Sequence, residues 1–356
     1  MLRSRTVLRA VVAAETAGLA RRIGGPSAWE AGAARRGRRI PALLSIVVIV
    51  QCGIALTVAA AIGLPPADPA LAGGAPDLGS VAAGWSTSVG AHDGGPIRGL
   101  ATWVDVYDWS ATFTSGHPRL TPEAVDAMAV RGVQVLEIQA SASSAGTDVL
   151  EEGVLRQWIT AAHAHGIRVV AWYLPTLVDP AGDIRRLVAI SRLGVEAVGV
   201  DIESRDVADP AARSARLVQV SQAARAAIHL PLQAITMPPV VLDLVNPAFW
   251  PNFPWHGIAS SYDVWTPMSY WTDRSAASGY RSGYRYSHDN ATWLRRDLGD
   301  ASAAVTLAGG IGDVTTVADV SGFLQACAET SVVGGGIYDF RTTTGAQWTA
   351  VSALRR

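Results

Sequence analysis

The chain has 356 residues, 49% of them hydrophobic, and a formal net charge of -1. It is long enough for one large domain with additions or for two smaller ones, and its near-neutral balance excludes an electrostatic grip on nucleic acid. Every basic residue is arginine, and the two cysteines, Cys52 in an apolar run and Cys327 in a predicted helix, exclude a disulfide framework or a cysteine-based metal site.

Residues 1–39 are basic and alanine-rich, while residues 40–64, IPALLSIVVIVQCGIALTVAAAIGL, carry no charge. At about 1.5 Å per helical residue, some 20 residues cross a bilayer core, so this run predicts one transmembrane helix. The arginines ahead of it put the N-terminus in the cytoplasm and the bulk of the chain outside. The expected location is a bacterial cell membrane, single-pass, with the C-terminal part extracytoplasmic; secretion after cleavage of a signal peptide is the alternative. Residues 65–97 are dominated by Pro, Gly, Ala and Ser and read as a flexible linker.

From residue 98 to 356, apolar strand-like runs alternate with helical ones. The strand runs begin at Leu100, Val133, Ile167, Val195, Leu230, Tyr262, Ala303 and Gly334, about every 33 residues. Between them, Thr121-Pro122-Glu123 predicts an N-cap followed by proline at the first helical position. Residues 150–166 predict a helix stopped by Gly166; residues 208–228 and 315–329 predict two more. NPAFWPNFPWHG, before the sixth strand, is too proline-rich for a regular helix. Eight such beats predict an α/β fold, a (β/α)8 TIM barrel preceded by the transmembrane helix and linker. A doubly wound open sheet is the alternative, but no glycine-rich dinucleotide fingerprint follows the first strand.

The fourth strand run, AVGVDIES, carries two acids. Successive side chains alternate across a strand, so Gly199, Asp201 and Glu203 share one face and Val198, Val200 and Ile202 the other. The valine face suits the surrounding helices, which turns the acids into the barrel at its carboxyl end, where barrel enzymes place their chemistry. Other strand ends add Glu137 and Gln139, Met268 and Tyr270, and Asp339 and Arg341. The first strand adds Trp103, with Asp105 and Asp108 expected on opposite faces, and the third ends in Trp172 and Tyr173. Acids and aromatic rings around one opening suit a carbohydrate. His163 and His165, two apart on a helix, face apart, and no metal site or cofactor motif stands out.

The fourth strand and Met268-Ser269-Tyr270 on the sixth resemble glycoside hydrolase family 18, the chitinase-like clan, whose fourth strand ends in D-x-x-D-x-D-x-E and whose sixth carries Met-x-Tyr. Glu196 and Gly199 stand where the first two aspartates would, and Trp271 stands where an aspartate is common. The resemblance implies that Glu203 protonates the glycosidic oxygen, that Asp201 orients a substrate acetamido group or Glu203 itself, and that Tyr270 hydrogen-bonds that group. It also implies a substrate N-acetyl group as nucleophile, an exception to two-carboxylate hydrolysis. Trp103, Asp105, Glu137, Gln139, Trp172, Tyr173, Met268, Trp271, Asp339 and Arg341 are the expected substrate-binding residues. Asp105, Glu137 and Asp339 are the candidates for a separate second carboxylate. Polysaccharide is the expected partner. A non-catalytic carbohydrate-binding barrel and a muramidase-like hydrolase are the competing readings.

Overall fold

The computed structural model describes residues 93–356. The basic segment 1–39, the predicted anchor 40–64 and most of the linker 65–97 lie outside the described residues. Among those described, no helix is long and apolar enough to cross a membrane.

Eight parallel strands form the sheet: β1 Gly99–Val104, β2 Val135–Gln139, β3 Arg168–Tyr173, β4 Ala197–Ile202, β5 Leu232–Thr236, β6 Val264–Pro267, β7 Thr306–Ile311 and β8 Gly334–Tyr338. Their order is β6-β5-β4-β3-β2-β1-β8-β7. Bridges Trp265↔Val305 and Met268↔Ala308 bring β6 to β7 and all but close the ring. Closure removes the exposed edges that an open sheet would present.

Helices α1 Ala124–Val130, α2 Glu152–Ala164, α3 Pro180–Ile190 and α4 Pro210–Ala227 follow the first four strands. The single turn α5 Trp255–Ile258 follows β5, and α6 Gly283–Leu298, α7 Val317–Glu329 and α8 Gly345–Val351 follow the rest. The proline-rich run accordingly yields one turn rather than a full helix. The caps are local: Asp209 accepts from the Ala211 and Ala212 amides at the start of α4, and Thr316 with Asp319 forms a capping box on α7. The start of α1 differs from expectation. Thr121 bonds to the Ala124 amide, Pro122 and Glu123 form the turn, and the helix begins at Ala124.

Face assignment on β4 follows the pleat. Val198, Val200 and Ile202 share an outer core with Leu187 of α3 and Leu217 of α4. Ala197 belongs to an inner cluster with Ala101, Trp103, Val170, Val264 and Ala308. Strands buried on both faces read as nearly unbroken apolar runs, which is why the eight beats stand out in the sequence. On β8 the glycines make room for the interior: a Cβ on Gly336 would lie 2.1 Å from the Ala101 carbonyl oxygen and 3.3 Å from the Trp103 ring.

Candidate active site

Asp201 and Glu203 sit at the carboxyl end of β4 on its inward face, one inside the strand and one just beyond its last residue. Asp201 is 6% exposed and its Oδ1 is buried without a hydrogen-bond partner among the described residues. Glu203 is half-buried. Burial, with Glu203 beside it, pushes the Asp201 carboxyl well above the usual range. Burial pushes Glu203 up to about 7. Two adjacent desolvated carboxyls cannot both ionise cheaply, so the pair holds a proton near neutral pH. No arginine pairs with either acid among the described residues.

Below the pair, Gly199 is walled in. A Cβ there would lie 2.7 Å from the Trp172 Cβ and 3.2 Å from the Ile235 Cδ1. Its register neighbours are Trp172 on β3 and Gln233 on β5. Gln233 uses the space to reach across the barrel, donating from Nε2 to Glu137 Oε1 at 2.8 Å and to Thr266 Oγ1 at 2.7 Å. Thr266 in turn meets Thr306 at 2.6 Å. Glu137 is 1% exposed, and burial raises its carboxyl to about 8 against the opposing Gln233 hydrogen bond. It is therefore a neutral acid in a buried polar chain, not a ligand at the mouth.

A second acidic group forms where β1 and β8 end. The carboxylate oxygens of Asp105, Asp108 and Asp339 lie within 4.8 Å of one another. The expectation of Asp105 and Asp108 on opposite faces fails here because the strand stops at Val104. Asp105 caps a helical turn, Val106–Trp109, and residues three apart on a turn are neighbours. Each acid already has protein donors. Asp105 accepts from the Tyr107 amide at 2.7 Å and the Tyr338 hydroxyl at 3.0 Å; Arg341 Nε donates to Asp108 at 2.6 Å; Asp339 accepts from the Thr342 amide at 2.8 Å and its hydroxyl at 2.9 Å. Desolvation and its two acidic neighbours, opposed by Arg341, raise Asp108 to about 6. The same three acids are the one group of potential metal ligands among the described residues, and their donors make it a self-satisfied ionic cluster.

The remaining expected residues divide between mouth and core. Gln139 is half-buried and receives the Val106 amide at 3.2 Å, tying β2 to the β1 loop. Tyr270 is half-buried, its ring 5.4 Å from that of Tyr338, whose ring is 6.3 Å from that of Trp103. Trp103, Trp172 and Met268 are interior side chains, 3%, 7% and 7% exposed. Tyr173 and Trp271 are not at the mouth. The Tyr173 hydroxyl donates to Asp183 of α3 at 2.6 Å, behind the strand. Trp271 is 1% exposed and packs on Phe323 of α7. Tyr173 follows the inward Trp172 on β3, and neighbouring residues on a strand point apart. Trp271 lies beyond the end of β6 at Pro267, where a 3-10 turn, Trp271–Asp273, lays its ring against Gly309 and Gly310 of β7. Tyr338 is missing from the sequence-predicted set, although it shares parity with the interior glycines Gly334 and Gly336.

Two cavities of about 390 Å³ each lie elsewhere, on the outer wall where α5 is a single turn; they share Phe253 and Trp255 and include none of the expected site residues.

No protein-family model matches the chain. No curated protein matches it either. Solved structures do resemble it. The spore cortex-lytic enzyme SleL of Bacillus cereus aligns with TM-score 0.54 at 8% identity over 73% of this chain and 74% of that one. A class V chitinase from Pseudomonas fluorescens Pf-5 aligns with TM-score 0.52 at 11% identity over 72% of this chain and 100% of that one. An endo-β-1,4-mannanase from Thermotoga petrophila aligns with TM-score 0.52 at 10% identity over 74% and 77%. At such identities the likeness is one of fold: the chain has the eight-stranded α/β barrel that these enzymes also have.

Proposed function

We propose that the protein is a glycoside hydrolase that cleaves an N-acetylated polysaccharide by acid catalysis from Asp201 and Glu203. The observation that carries this reading is the pair itself: two inward carboxyls at the carboxyl end of β4, raised by burial and unpaired with arginine. The barrels of SleL, the class V chitinase and the mannanase support it as hosts of related activities on the same fold.

In this mechanism Glu203 delivers its proton to the glycosidic oxygen as the bond to the anomeric carbon breaks. The substrate's acetamido oxygen attacks that carbon, and Asp201 stabilises the positive charge that develops on the acetamido group. Water then opens the cyclic intermediate, with the Glu203 carboxylate accepting its proton. Tyr270 donates to the acetamido oxygen and holds it in line.

The location belongs to the same proposal and rests on the sequence of residues 1–64, the uncharged run 40–64 and the arginines ahead of it: a membrane anchor holding the barrel on the extracytoplasmic side, where cell-wall and other exported glycans lie. Full-length protein and its Glu203→Gln variant, assayed for release of reducing ends from a panel of glycans, test the activity; equal rates in the two would remove Glu203 as the acid. One observation favours a second reading, a non-catalytic glycan-binding barrel: Gly199 supplies no acid and Trp172 closes the space around it. Glycan binding that persists in Glu203→Gln without turnover in either protein would support that reading.

A further inference from the structure

Most aromatic side chains named as expected sugar contacts are interior groups, with Trp103, Trp172, Tyr173 and Trp271 all at most 7% exposed. The exposed ring is a different one. Tyr107 is 48% exposed and is the one aromatic among the exposed large hydrophobic side chains of the described residues. A single exposed ring is ordinary on a protein surface. Three features separate this one from the ordinary case.

Its place is the first. Tyr107 lies in the turn that follows β1, at the same end of the barrel as Asp201 and Glu203. Strands β1 and β4 are three apart in the ring, which at about 4.8 Å per strand is roughly 14 Å along the wall. An oligosaccharide can bridge that separation and a single sugar cannot.

Its support is the second. Phe113 stands perpendicular to the Tyr107 ring in a T-shaped contact, with centroids 5.7 Å apart and planes at 88°. The two rings therefore touch without stacking, and Tyr107 stays 48% exposed.

The rigidity of its loop is the third. The Tyr107 amide is held by Asp105 at 2.7 Å, and Trp109 Nε1 by the Gln139 carbonyl at 3.0 Å. Glu151, reaching over from the β2 side, accepts from the Ser110 hydroxyl at 2.6 Å, the Ala111 amide at 3.1 Å and the Thr112 amide at 2.8 Å. These contacts fix the backbone of the turn that carries the ring. Pre-ordered aromatic side chains lose little conformational freedom when they bind.

We infer that Tyr107, braced by Phe113, is a stacking platform for a pyranose ring of the glycan several units from the scissile bond. The inference rests on the hydrolase reading and deepens it: the glycan runs from the β4 acids across the mouth to the β1 rim, so the protein prefers long chains to short ones. Asp105 then acts as a positioning residue, since its two oxygens fix the Tyr107 backbone and the Tyr338 hydroxyl.

The test is hydrolysis of β-1,4-linked N-acetylglucosamine oligomers of two to six units by the full-length protein. In Tyr107→Ala, kcat/KM on the hexamer is expected to fall about five- to tenfold, through KM, while the shortest cleaved oligomer is unaffected. Tyr107→Trp keeps a platform and is expected to retain the length preference. An equal loss at every length, or none at any, overturns the platform and leaves the hydrolase reading standing. Should no oligomer be hydrolysed, the hydrolase reading is left to the glycan panel and calorimetric binding of the hexamer decides the platform. Binding weakened in Tyr107→Ala upholds the platform. Binding by wild type that Tyr107→Ala leaves unchanged, or no binding at all, overturns it.

Discussion

The Cβ of Trp172 stands 2.7 Å from the point that a Cβ on Gly199 would occupy. Real Cβ atoms do not approach so closely, so β3 and β4 can keep their register only while position 199 has no side chain. The consequence is chemical as well as steric. An acid at this position, part of the fourth-strand pattern that the sequence resembles, cannot be added without moving the tryptophan. Gly199→Asp is therefore expected to destabilise the barrel by at least about 1–3 kcal/mol from overpacking alone, before the cost of another buried carboxylate. Denaturant unfolding of the variant checks this, and unchanged stability would show that Trp172 yields easily.

Loss of the acid at 203 should act on rate. Glu203→Gln cannot donate the proton, and removing a general acid of this kind costs roughly a hundred- to ten-thousand-fold in kcat with little change in KM. In wild type the working form is protonated, and burial lifts the carboxyl to about 7. Activity is therefore present below that pH and falls as pH rises through it. A pH profile of kcat/KM that stays flat from pH 6 to 9 would contradict the assignment.

Glu137 carries a prediction about stability. Its carboxyl is raised to about 8 in the folded barrel from an ordinary 4.5. Between those values the folded state keeps a proton that the unfolded chain has released, so stability falls as pH rises, by at most about 1.4 kcal/mol per unit for one group. The contribution is fully favourable below the unfolded value and stops changing above the folded one. Glu137→Gln keeps an oxygen to accept from Gln233 but has no proton to lose. It should flatten that part of the pH dependence and be more stable than wild type near pH 8. Parallel unfolding curves at pH 5 and pH 8 for both proteins decide it.

Arg341 is the cation of the second acidic group. Arg341→Met leaves Asp105, Asp108 and Asp339 without it, and should cost about 2 kcal/mol, less than a fully buried pair because the arginine is partly in water. Asp108 is raised to about 6 with the arginine in place, and removing that partner raises it further. The loss should therefore shrink on acidification through pH 6 as the carboxyl takes up a proton. A penalty that is the same at pH 5 and pH 8 would argue that the guanidinium contributes packing and not charge.

The sequence by itself determined the eight strands, their spacing and the inward face of β4. These are local properties: apolar runs buried on both sides, turn residues between them, and a pleat of period two that puts Asp201 opposite Val200 and Ile202. Tertiary structure alone decided where the pleat ends. Past Val104 and Tyr338 the chain turns, parity lapses, and Asp105, Asp108, Asp339 and Arg341 meet through loops from two strands that are distant in sequence and adjacent in the ring. It also decided which rings face water. Trp172, Trp271 and Tyr107 are all aromatic, but exposure is set by what packs against each one: Trp172 borders Gly199, Trp271 lies on Phe323, and Tyr107, in a T-shaped contact with Phe113, stays 48% exposed.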